Sequence, residues 1–96
     1  METYQQERRS SQRVDMEDES VMIAIHTNGG IYSNSAICLD LSRRGALLEY
    51  NQALALGTLI EVTFNQGNDN ENTIKGQVCR CTCANETRCH IALQLI

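Results

Sequence analysis

Ala36-Ile37-Cys38-Leu39-Asp40-Leu41-Ser42-Arg43-Arg44-Gly45-Ala46-Leu47-Leu48-Glu49-Tyr50 is the stretch that decides how the chain folds. In its first half Ile37, Leu39 and Leu41 alternate with Ala36, Cys38 and Asp40, the period of a strand with one buried face. Past Gly45, the run Ala46-Leu47-Leu48 leads into Glu49 and Tyr50 and is again compatible with a strand. The reading is two strands joined by a tight polar turn. Alternation puts Leu39 and Leu41 on the core side and sends the Asp40 carboxylate away from it. Gly45 is expected to leave the turn at positive φ, where a side chain would clash. Arg43 and Arg44 then stand at the apex, where turn solubility alone accounts for them.

The pattern repeats on both sides of this hairpin. Val21, Ile23 and Ile25 alternate with Met22, Ala24 and His26, and Asn28-Gly29-Gly30 supplies a turn into a second strand over residues 31–41. The third strand follows Gly45 as far as Tyr50, and residues 51–56 form a short bridge or one helical turn. Gly57-Thr58 opens a fourth strand with Ile60, Val62 and Phe64 facing the core. Residues 65–72 make a long polar loop that lacks the residue order of a calcium-binding loop. Ile74, Gly76 and Val78 define a fifth strand, and after a turn at residues 84–87 Ile91, Leu93 and Leu95 define the last. Six short strands without proline imply an all-β domain, a small antiparallel barrel or sandwich. Barrel closure has the further merit of removing exposed strand edges.

The totals narrow the function. A chain of 96 residues supports one modest core. With 4% aromatic residues and no Trp, it offers few platforms for stacking single-stranded nucleic acid. A net charge of −4 argues against general DNA or RNA binding, which is driven by phosphate neutralisation. Yet Arg8, Arg9, Arg13, Arg43 and Arg44 crowd into two short segments, which suits a small anionic ligand. No run approaches the ~20 apolar residues of a membrane span. The N-terminus is too polar for a signal peptide, so a cytoplasmic protein with no membrane association is expected.

Residues 1–20 are polar, have no strand or helix period, and read as a flexible arm ahead of a barrel domain over residues 21–96. The arm carries Arg9-Ser10-Ser11-Gln12-Arg13, of the form Arg-x-x-x-Arg. About twenty-five residues on, Asp40-Leu41-Ser42-Arg43-Arg44-Gly45 has the form Asp-x-Ser-x-x-Gly. In that order the pair resembles the two signatures of the PilZ domain family, bacterial receptors for cyclic di-GMP. Similarity continues through Leu56-Gly57-Thr58 and Gly76-Gln77-Val78 into the last strand, so it covers nearly the whole chain.

The resemblance implies that Arg9 and Arg13 contact phosphate and guanine, that Asp40 and Ser42 meet the guanine edge, and that Gly45 shapes the loop. The chemistry suits those roles. A guanidinium fork bonds two phosphate oxygens at once, or the O6 and N7 acceptors of guanine, whereas a lysine supplies charge without that planar match. An aspartate accepts from guanine N–H groups, and a serine hydroxyl donates or accepts. Arg8, just ahead of the motif, implies two stacked ligand molecules per chain. The resemblance also implies relay to a protein effector through ordering of the arm; its alternative is an adaptor that works by protein contact without nucleotide. The family's C-terminal helix is missing from a chain that stops at Ile96, which leaves that end open or covered by a second copy in a homodimer.

Five cysteines in a chain without an export signal are expected to be mostly reduced thiols. Cys79, Cys81 and Cys83 alternate, so in a strand the three thiols share one face, with Cys89 and His90 across the hairpin. The usual Cys-x-x-Cys knuckle is absent, and free thiols are favoured over a metal site. No Ser-His-acid order, glycine-rich phosphate loop or carboxylate pair points to catalysis, and His26 alone is a weak candidate. A receptor without catalysis or cofactor is the expected class.

Overall fold

A computed structural model of the chain describes residues 19–96. Its strands are β1 (Glu19–Thr27), β2 (Gly30–Leu41), β3 (Gly45–Tyr50), β4 (Leu59–Phe64), β5 (Asn72–Asn85) and β6 (Arg88–Leu95). They close into a barrel in the order β1-β2-β3-β6-β5-β4, with β4 pairing back on β1 and every neighbour antiparallel. The described residues contain no helix, and residues 51–58 are bends and turns rather than a helical turn. That segment is tied down by Thr58, whose hydroxyl donates to the Ala55 carbonyl at 2.7 Å, and by Gly57 N–H to the Val78 carbonyl at 2.7 Å.

The core follows from the alternation of the strands. Val21, Ile23 and Ile25 from β1 meet Ile60, Val62 and Phe64 from β4 and Ile91 and Leu93 from β6, all buried. Each such side chain contributes roughly 1.5–3 kcal/mol on leaving water.

On β2 the expected phase is reversed. Ala36 and Cys38 point inward, while Ile37 and Leu39 are only half-buried. The register explains this. Cys38 faces Leu48 and Asp40 faces Leu47, so two residues on β3 answer three on β2 and Leu39 has no partner. A bulge of this kind shifts the alternation by one. It returns Leu41 to the core, where it packs against the buried cluster, and leaves Asp40 turned outward. The outward aspartate agrees with expectation, but the bulge is what puts it there.

A second bulge lies between Val78 and Arg80 on β5. It throws Cys79 out of phase, so Cys79 is exposed while Cys81 leans on the core. The three alternating cysteines therefore do not share one face. Nor are the thiols all free: Cys83 and Cys89 face each other across the β5–β6 hairpin and form a disulfide. The polar loop after β4 is likewise held together from within, since the Glu71 carboxylate accepts the Gly67 N–H at 3.0 Å.

Antiparallel order gathers the start of β1, the β2–β3 turn, the β4–β5 loop and the end of β6 at one end of the barrel. The β1–β2 and β5–β6 turns lie at the other.

Candidate functional site

The β2–β3 turn is built by short-range bonds. Ser42 donates its backbone N–H to the Gly45 carbonyl at 2.8 Å and its hydroxyl to the same oxygen at 3.3 Å. The hydroxyl oxygen keeps its capacity to accept. Arg43 and Arg44 are exposed on either side of the bend, and the Arg44 carbonyl accepts the Leu95 N–H at 2.9 Å, which ties the turn to the last strand.

Gly45 is required for a reason other than the expected one. It is not among the described residues with positive φ, which are Asn65, Gly30, Gly57 and Gly67. Instead a Cβ at Gly45 would lie 2.7 Å from the Leu93 carbonyl oxygen of β6. Close approach of two backbones, not a left-handed turn, demands the missing side chain. Gly45→Ala is therefore expected to cost about 1–3 kcal/mol through forced displacement of β3 from β6. Thermal melting is the check, with a drop of about 4–8 °C for each kcal/mol in a domain of this size. An unchanged melting temperature would mean that the Leu93 carbonyl yields freely.

Cys38 supports Asp40 from below. Its thiol lies 3.5 Å from the Asp40 carbonyl oxygen, and burial pushes its pKa above the ordinary thiol value. Cys38 is thus a neutral wedge under the bulge that presents Asp40. Sequence reading passed over it because the apparent alternation assigned it to the wrong face.

Register also defines what surrounds Asp40 on the outer surface. Asp40 is opposite Leu47, Leu47 opposite Ala92, and Ala92 opposite Arg80, giving one continuous row across β2, β3, β6 and β5. Leu47 and Ala92 are half-buried and Arg80 is exposed, so the row offers an apolar floor with an acid at one end and a guanidinium at the other. The next row holds Ile37, Glu49, His90 and Thr82. Glu49 is 3.7 Å from both His90 Nε2 and Arg88 Nε. A surface cavity of about 200 Å³ opens beside it, lined by Ile37, Glu49, Tyr50 and Thr87 among others, but not by Asp40, Ser42 or Gly45.

Arg8, Arg9 and Arg13 lie outside the described residues. Their point of attachment does not. Glu19, the first residue of β1, is paired with Cys38 on β2, two residues from Asp40. Arg13 is six residues before Glu19, and a chain reaches at most about 3.3–3.6 Å per residue, so its Cα stays within roughly 22 Å of that point.

His26 is half-buried on β1, with Nε2 3.7 Å from Glu61 Oε1, far from the Asp40 turn and at the opposite end of its strand. Among the described residues no cluster of three or more His, Cys, Asp or Glu is arranged to hold a metal ion. No helix there is long and apolar enough to cross a membrane.

A family model described as the PilZ domain matches residues 7–96, a span that includes Arg8, Arg9 and Arg13 and the six strands of the described residues. No curated protein and no solved structure matches the chain significantly.

Proposed function

The chain belongs to the PilZ domain family, and on that footing we propose that it is a receptor for cyclic di-GMP in the bacterial cytoplasm, acting by binding rather than catalysis. Arg9 and Arg13 grip phosphate and guanine from the arm. Asp40 and Ser42 take the guanine edge from the β2–β3 turn, and Gly45 lets that turn sit close against β6. The observation that supports this reading is the Glu19–Cys38 pairing, which sets the first described residue of β1 opposite a residue two positions from Asp40. That pairing supports the reading that two motifs far apart in sequence serve one ligand.

The ligand supplies what the residues need. It has two phosphodiester charges for guanidinium forks and two guanines whose N–H donors match a carboxylate. The Leu47–Ala92 floor beside Asp40 supports a flat base. Binding fixes residues 8–13 against the barrel at an entropic cost, and the surface so formed is read by a protein effector. Arg8 adds a further fork, which favours a stacked pair of ligands.

Calorimetric titration of the folded protein with cyclic di-GMP tests both points. Saturable heat with two ligands per chain is the expected result. One ligand per chain removes the stacked pair and keeps the receptor. No saturable heat favours the adaptor that works by protein contact alone.

A further inference from the structure

We propose that the Cys83–Cys89 disulfide is a thiol-exchange site, opened by a small thiol such as glutathione that attacks Cys83 and expels Cys89. The two cysteines differ sharply in access. Cys83 is exposed near the end of β5, whereas Cys89 is 2% exposed and belongs to the core cluster. A thiolate must reach the sulfur it attacks, so exchange is directed to Cys83. The buried partner is then the leaving group.

The covalent link is also not what shapes the hairpin. The turn is closed by the Asn85 side-chain oxygen, which accepts the Thr87 N–H at 2.9 Å and the Thr87 hydroxyl at 3.1 Å. On its other flank β6 is paired with β3 from Gly45–Gln94 through Tyr50–Cys89. Cutting the disulfide leaves both ladders in register, and the released Cys89 thiol behaves as one more small apolar core group. A staple that crosses only six positions of an already registered hairpin is available for chemistry.

The step balances. A thiolate RS⁻ forms a new S–S bond to Cys83 Sγ while the Cys83–Cys89 bond breaks. Cys89 leaves as a thiolate and takes up one proton. A second RS⁻ attacks the mixed disulfide, releasing RSSR and the Cys83 thiolate, which is protonated in turn. The small thiols lose two electrons and the protein disulfide gains them. Cys81 lies two pairs further along, on the same face, but is not well placed to replace Cys89, because neighbours on one strand seldom meet disulfide geometry. Reoxidation therefore re-forms the same pair.

This proposal stands apart from nucleotide binding and is tested on the full chain. The air-oxidised protein is incubated with millimolar reduced glutathione, quenched with acid, alkylated and mapped by peptide mass spectrometry. Circular dichroism is followed in parallel. The expected result is glutathione on Cys83 in preference to Cys89 by about tenfold or more, Cys89 alkylated, and an unchanged spectrum. Oxidised glutathione should then restore the disulfide. In Cys89→Ser, which has no disulfide to open, oxidised glutathione should place an adduct on Cys83, releasing one reduced glutathione, and that adduct should persist because the thiol that would expel it is gone; if that variant does not fold, the wild-type time course still locates the adduct. The proposal is overturned if the pair resists glutathione until denaturant is added, if the adduct falls on Cys89, or if both cysteines are already free in the air-oxidised protein.

Discussion

Asp40→Ala and Arg13→Ala should each weaken cyclic di-GMP binding by about 30- to 150-fold, equivalent to about 2–3 kcal/mol, and leave the barrel folded. Under the proposed function, each substitution removes one charged partner from a contact whose other half is a guanine edge or a phosphate. The backbone pairing of Asp40 with Leu47 does not depend on the carboxylate, so the barrel is expected to stay folded when the side chain is truncated. The bulge is delimited by the backbone pairs Cys38–Leu48 and Asp40–Leu47, and a side-chain truncation at Asp40 leaves both pairs available. Arg13→Lys separates charge from shape: it retains the positive charge and loses the fork, so most of the loss should remain. Affinity within threefold of wild type in both alanine variants would remove these residues from the site.

Leu48→Ala should be the most damaging single change to stability, at about 2–5 kcal/mol. Leu48 is fully buried, faces Cys38 on one side and Ile91 on the other, and so joins the strand that carries the Asp40 bulge to the middle of the core. A domain of this size typically has about 5–15 kcal/mol in total, so the variant should be close to unfolding at moderate urea concentrations. The check is the urea midpoint. A shift corresponding to less than about 1 kcal/mol would mean that the barrel interior is not packed as described.

Much of the barrel was legible because its strands keep a clean period of two. Val21-Ile23-Ile25, Ile60-Val62-Phe64 and Ile91-Leu93 each bury the face their alternation marks. The period failed where an extra residue enters a strand. On β2 both phases are apolar around Ile37 and Cys38, so nothing local distinguishes the buried set, and the decision falls to pairing with Leu48. On β5 the bulge at Cys79 does the same to the cysteine series. Bulges are features of two strands together, and one strand's sequence does not contain them.

The site divides in the same way. Asp40, Ser42 and Gly45 were legible as a motif; in the structure Asp40 lies near the end of β2, Ser42 in the turn and Gly45 at the start of β3. The reason for Gly45 was not, because the clash it avoids is with Leu93, far away in the chain. The disulfide was missed on similar grounds: Cys83 and Cys89 become partners only once the β5–β6 register is known.

The account rests on the arm and the turn closing on the same ligand. Amide NMR of the full chain, titrated with cyclic di-GMP, measures this most directly. The prediction is that Arg9 and Arg13 in the arm and Asp40, Ser42 and Gly45 in the turn shift together and saturate with a common dissociation constant. Shifts confined to one of the two segments, or none that saturate, would contradict it.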